Sequence, residues 1–243
     1  MTTIAVHLQQ VKERLSRACE AAARSSDEVT LLAVSKTFGP DAVRQAYAAG
    51  QTAFGENYVQ EGVEKIALVA ETVPRAALQW HCIGPLQSNK TRLVATQFDW
   101  VQSVERIKVA QRLSEQRPEA LPPLNVCLQV NIDGGPNKAG VSPAELPALA
   151  EAVAVLPRLR LRGLMCIPEP APDFESQLAL FLRARDAYED LLERGHALDT
   201  LSLGMSEDLE AAVAAGSTMV RVGRAVFGYR AARPVISPAS PAV

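Results

Sequence analysis

Eight short apolar runs, each followed by a stretch of helical periodicity, confine this chain to an alternating β/α architecture. The runs lie at 29–34, 52–54, 78–84, 100–104, 124–132, 159–168, 201–204 and 218–223. Between them, patterns such as DAVRQAYAAG, ERIKVAQRLSEQ and SEDLEAAVAAG place apolar residues three and four apart, as one face of a helix requires. An open doubly wound sheet and a closed barrel both satisfy such alternation. No G-x-G-x-x-G follows the first run, and eight strands are the number that closes a parallel barrel. The predicted class is therefore α/β, a single (β/α)8 TIM barrel. One extra N-terminal helix precedes it, on which Ile4, Leu8, Val11, Leu15 and Cys19 recur at helical spacing. The barrel is expected to occupy residues 1–230. The tail 231–243, rich in proline, serine and alanine, is expected to be disordered.

A formal net charge of −2 gives no electrostatic case for nucleic acid or an anionic membrane. No apolar run is long enough to span a bilayer. The opening MTTIAVHLQQ lacks the basic and apolar regions of a secretory signal, so the expectation is a cytoplasmic protein. Four cysteines without a CxxC pair read as buried free thiols, with neither a disulfide scaffold nor a metal site.

In a parallel barrel every strand delivers its carboxyl end to one mouth, where active sites form. The first run ends in Ser35-Lys36-Thr37, followed by the turn Phe38-Gly39-Pro40. Lys36 therefore emerges from a buried strand. A lysine amine desolvated there is a nucleophile toward carbonyls, whereas a lysine that snorkels to water is only solvated surface. Glu56, Asn57, His81, Ser103, Asn131 and Lys138 reach the same mouth. Barrels often bind phosphate after strands seven and eight. Here Gly204-Met205-Ser206 opens a helical pattern and Gly223-Arg224 follows the last strand. Ser206 reads as an N-cap whose hydroxyl can also reach a phosphate oxygen. Arg221, inside the barrel, needs a partner: a carboxylate of the protein, or the acceptor nitrogen of a heteroaromatic ring. His81 reads more simply as hydrogen-bonded packing. An imine-forming lysine, a phosphate cradle and an arginine facing a ring nitrogen together match pyridoxal 5′-phosphate (PLP).

The stretches AVSKTFGPDAVRQAYAAG, FGENYVQE, WHCIGPLQSNK, LRGLMCIP, LGMSEDLEAAVAAGSTMVRVG and AVFG resemble the pyridoxal-phosphate homeostasis protein family. They run from the first strand to the last. The resemblance implies a barrel similar to the N-terminal domain of alanine racemase, with the cofactor held on Lys36 as a Schiff base. It implies that Ser206, Gly223 and Arg224 hold the phosphate, the last two through backbone N–H groups. Arg221 would face the pyridine nitrogen, with Asn57 and Met205 near the ring. Leu203 stands where the family more often has methionine, and the loop 133–138 is richer in glycine than the family pattern.

Three functions compete. The favoured one is a carrier that buffers PLP in vitamin B6 and amino-acid homeostasis, delivers it to apo-enzymes, and acts as a monomer. The second is an amino-acid racemase, and the third a cofactor-free Schiff-base aldolase of sugar phosphates. Efficient racemisation is not expected, because it takes acid–base groups on both faces of the imine. In the two-domain racemases the family resembles, one of these comes from a further domain, and after AVFGY only a short tail remains.

Overall fold

The computed structural model describes residues 2–135 and 139–228. Eight parallel strands close a barrel in sequence order: β1 Thr30–Val34, β2 Ala53–Glu56, β3 Gln79–Cys82, β4 Trp100–Val104, β5 Leu124–Gln129, β6 Leu159–Met165, β7 Thr200–Ser202 and β8 Met219–Val222. Closure is made by β8 against β1, with Leu32 opposite Arg221 and Ala33 opposite Val222. Six of the strands are shorter than the apolar runs that announce them, while β4 matches its run and β2 extends two residues past its own. The ladder ends where the chain must turn, and the remaining apolar residues continue into loops.

The helices are α1 Thr3–Ala21, α2 Pro40–Ala48, α3 Val59–Ala70, α4 Thr91–Gln97, α5 Ile107–Gln116, α6 Leu146–Ala154, α7 Phe174–Glu193, α8 Leu209–Ala214 and α9 Arg224–Phe227. The main core lies between strands and helices. Alternate residues such as Leu31, Ala33, Phe54 and Trp80 point outward into it. The opposite parity fills the barrel: Leu32, Val34, Ala53, Ile83 and Met219 form one internal cluster, and Trp100, Cys127 and Met165 another. A barrel filled by layers of side chains is a packed core with one usable end.

The expected extra helix is α1, started by the Thr2 hydroxyl accepting the Ala5 N–H. It packs on α8, α9 and α2, across the seam where the barrel closes. Arg14 fastens it to α8 by a two-pronged pair with Glu210, both contacts at 2.6 Å. Arg24 adds hydrogen bonds to the Val213 and Ser217 carbonyls. All four cysteines are free and buried. No helix among the described residues is long and apolar enough to cross a membrane. The expected disordered tail and Lys138 lie outside the described residues.

Candidate functional site

Seven residues singled out by the sequence lie on or just after four neighbouring strands, β7, β8, β1 and β2, and so on one arc of the mouth. Lys36 stands two residues beyond Val34, at the position that would continue the inward parity of Leu32 and Val34. It is half-buried, and its amine makes no hydrogen bond or ion pair among the described residues. It is thus neither sealed in the wall nor extended into water. Asn57 follows β2 directly, and its Oδ1 is buried without a partner. The Asn57 backbone lies so close to Gly84 that a Cβ there would sit 2.1 Å from the Asn57 carbonyl oxygen. Glycine is thus required beneath Asn57, and the Ser103 hydroxyl holds the Gly84 carbonyl at 2.6 Å.

Past β7, one expectation needs correction. Ser206 is not the N-cap of the helix. Helix α8 starts only at Leu209, and Asp208 occupies the cap position without a side-chain cap bond. The Asp208 carboxylate turns back to accept the Met205 N–H at 2.5 Å, which tightens the loop and delays the helix. The consequence favours a ligand. The Ser206 hydroxyl is left without a hydrogen-bond partner among the described residues, while its carbonyl accepts from Arg14 at 2.6 Å. The acidic neighbours are also occupied. Glu210 pairs with Arg14, Glu207 with Arg224 at 3.3 Å, and Asp208 with the Met205 amide. Met205 itself is 41% exposed at this rim. Gly223 follows β8 and precedes α9, and its N–H donates to no carbonyl among the described residues.

Arg221 lies on β8 inside the barrel, buried. Among the described residues it has no carboxylate partner, so the ion-pair reading is not what the fold provides. Neutral acceptors surround it instead: the Ser202 carbonyl at 2.7 Å, the Ser202 hydroxyl at 2.8 Å and the Cys166 carbonyl at 2.9 Å. Burial pushes the guanidinium down to about 10, which still leaves it charged at neutral pH. Three of its five N–H donors are thereby used.

The contacts below Arg221 have a fixed direction. Arginine only donates, so the Ser202 oxygen accepts and its proton goes to Gln102 Oε1 at 2.8 Å. The Gln102 amide nitrogen then donates to His81 Nδ1 at 3.0 Å, which leaves the ring proton on Nε2. That Nε2 is buried without a partner. Burial, and secondarily the charge of Arg162, pushes His81 down to about 3, so it is neutral. Its ring stacks on Trp100 with centroids 5.0 Å apart. His81 is therefore packing, as read from sequence, but it terminates a relay that begins at the candidate ligand contact.

A second polar cluster lies outside the wall. Glu56 points toward α3, where Lys65 Nζ meets its Oε1 at 2.6 Å and the Ser35 carbonyl at 2.7 Å. The Ser35 hydroxyl donates to the same Glu56 oxygen at 2.6 Å. Burial raises the Glu56 carboxyl, against the opposing pull of the Lys65 ammonium and the Ser35 hydroxyl. Sequence analysis brought Glu56 to the mouth but did not single out Lys65, toward which its side chain turns. The available signal was a lysine on the apolar face of α3 formed by Val59, Gly62, Ile66 and Val69.

The family described as alanine racemase, N-terminal domain, matches residues 6–231. A pyridoxal phosphate homeostasis protein of Pseudomonas aeruginosa is 56% identical over 230 residues, covering 95% of this chain and 97% of that one. Its counterpart in Escherichia coli K12 is 54% identical, covering 95% and 98%. Among solved structures, PipY of Synechococcus elongatus without PLP superposes with a TM-score of 0.82 at 39% identity, covering 93% of this chain and 100% of that one. PipY with PLP bound gives 0.79 at 37% identity, over 93% and 100%. Alanine racemase from Corynebacterium glutamicum shares the fold, with a TM-score of 0.63 at 17% identity over 91% of this chain and 61% of that one.

Proposed function

Because this chain belongs to the pyridoxal phosphate homeostasis protein family, built on the alanine racemase N-terminal barrel, we propose that it binds PLP on the β7–β8–β1–β2 arc and buffers it for use elsewhere. The single observation that carries the site is the unpartnered Lys36 amine, among the described residues, at the exit of β1. Bound PLP supplies an aldehyde, which condenses reversibly with a primary amine. The chain's own residues do the rest. Lys36 offers the amine. The Ser206 hydroxyl and the N–H groups of Gly223 and Arg224 offer donors to a phosphate. The Ser206 carbonyl, held by Arg14, keeps that loop in place. Arg221 has two N–H donors left for a ring nitrogen, and its fixed positive charge disfavours protonation of that nitrogen. Asn57 and Met205 flank the ring. The orphaned Asn57 Oδ1 fits this reading, since a buried acceptor without a partner is costly until a ligand reaches it.

The homeostatic role follows the relatives. Delivery to apo-enzymes, a monomeric state, a cytoplasmic setting and one PLP-binding unit over residues 1–230 belong to the same proposal. The test is the visible spectrum of the protein with PLP, before and after borohydride, with mass mapping of the labelled lysine. Lys36 should carry the label, and Lys36→Ala should lose the band. A label on another lysine, with Lys36 unmodified, overturns the assignment. Ser206→Ala should weaken PLP by about 1 kcal/mol, the usual worth of one hydrogen bond, and leave unphosphorylated pyridoxal unchanged. Equal losses for both ligands refute the phosphate contact. Sustained amino-acid racemisation at about 1 per second or faster, lost in Lys36→Ala, would replace the carrier by an enzyme.

A further inference from the structure

The side chains of Glu56, Lys65 and Glu61 make no hydrogen bond to the ligand contacts assigned above, yet they grip the residues on both sides of Lys36. We propose that Lys65, together with Glu56 and Glu61, is a positioning cluster that fixes the Ser35–Thr37 backbone and so aims the Lys36 amine into the barrel mouth. The proposal rests on Lys36 being the attachment residue.

Each donor of the Lys65 ammonium is committed. It meets the Ser35 carbonyl at 2.7 Å, Glu56 Oε1 at 2.6 Å and Glu61 Oε1 at 3.0 Å. The Ser35 hydroxyl adds a bond to Glu56, and the Thr37 N–H donates to Glu61 Oε1 at 2.5 Å. Residue 35 is therefore held through its carbonyl and side chain, and residue 37 through its amide. The side chain of residue 36 between them makes no hydrogen bond or ion pair among the described residues. Thr37 has a φ of +69°, a left-handed conformation that a β-branched residue rarely adopts. Such a conformation persists only where surrounding contacts enforce it. Two anchors on one helix and a forced turn between strand and loop leave Lys36 few directions in which to point.

Stability alone does not call for this arrangement. Lys65 is 3% exposed on a helix face otherwise built from Val59, Gly62, Ile66 and Val69. A methionine there, paired with an apolar residue at 56, would fill the space without burying two charges, and such exchanges are often neutral or stabilising. What the ionic version supplies is direction. Three hydrogen bonds from one ammonium fix a backbone carbonyl relative to a helix, which packing alone does not.

Two probes on the full chain separate positioning from mere folding. PLP needs the Lys36 amine. Pyridoxine 5′-phosphate has the same ring and phosphate but an alcohol in place of the aldehyde, so it reads only the cradle. Lys65→Met should lower PLP affinity and borohydride labelling of Lys36 by about tenfold, the scale of one charge-assisted hydrogen bond. Affinity for pyridoxine 5′-phosphate should stay within about twofold. Glu61→Ala, which removes the acceptor shared by the Thr37 amide and the Lys65 ammonium, should show the same pattern at about threefold. Glu61 is partly exposed, so this variant carries the test if Lys65→Met does not fold. Parallel loss of both ligands, or loss of neither, overturns the positioning role. Labelling of the parent protein at a lysine other than Lys36 overturns the attachment reading instead, and is seen before any variant is made.

Discussion

Outside the barrel wall, Lys65 and Glu56 bury opposite charges in direct contact at 2.6 Å. Inside it, Arg221 buries a single charge among two carbonyls and a hydroxyl, with a relay of neutral dipoles running down to His81. The two arrangements stand at the same end of the barrel and answer the same problem, the cost of taking charge out of water. Their difference is one of availability. A paired charge is consumed, and its remaining value is geometric: it holds the chain. A charge solvated by neutral groups keeps its field, and that field can still act on a ligand. The outer cluster therefore suits a positioning task and the inner one a binding task.

The comparison breaks most visibly at Lys65. Lys65→Met leaves the Glu56 carboxylate buried without its cation, which should cost about 3–5 kcal/mol at neutral pH. The folded-state pKa of Glu56 is raised by burial, so the fold holds this proton more tightly than the unfolded chain does. Stability linked to it therefore falls as pH rises through the folded value and is regained in acid. Urea unfolding of the variant at pH 5 and pH 8 should show the larger deficit at pH 8. The same deficit at both would mean that lost packing, not buried charge, is the cause.

Next is acid sensitivity from the inner relay. His81 is pushed from 6.5 down to about 3, so the unfolded chain binds the proton first. The stability contribution is complete above pH 6.5 and is lost progressively toward pH 3, by at most about 1.4 kcal/mol per unit. Between pH 6.5 and 4.5 this runs opposite to Glu56. Thermal melts across that interval should slope downward in acid, and His81→Gln, which keeps an acceptor for Gln102, should flatten them. An unchanged slope removes His81 as the source.

A smaller effect separates the hydroxyl from the backbone in holding Arg221. Ser202→Ala removes one acceptor of the guanidinium and the donor to Gln102, and should cost about 1–3 kcal/mol in urea unfolding. The smallest is the coupling between the relay's ends. A double-mutant cycle of Ser202→Ala with His81→Gln should give a non-additive term of about 0.5 kcal/mol or more. Strict additivity would show the relay to be a row of independent bonds.

The barrel was legible because its signal is repetition: eight strand–helix units cannot be mistaken for one accidental pattern. The arc of site residues was legible for a related reason, since closure brings Asn57 and Ser206 to one mouth despite their separation in sequence. The start of α8 was misread. Ser206 and Asp208 are both good cap residues, and the hydrogen bond that the Met205 N–H donates to the Asp208 carboxylate decides between them. Such competition between local side-chain bonds and helix initiation is not decided by residue type alone. Lys65, Gln102 and Ser202 were missed because each is an ordinary polar residue in its own segment. Their partners are contributed by other strands and helices, 100 residues apart in the Ser202–Gln102 contact.

The placement of sulfur has a chemical consequence for a protein that holds an aldehyde. Cys19, Cys82, Cys127 and Cys166 are all buried, and burial drives the thiols of Cys82 and Cys127 up to about 12. A thiolate adds to an aldehyde as an amine does, giving a thiohemiacetal, and an accessible cysteine would compete with Lys36 for the same carbon. With each thiol sealed in the wall or under a helix, that side reaction has no partner within the described chain. The reactive carbonyl would then be left to amines, the condition that the proposed attachment to Lys36 requires.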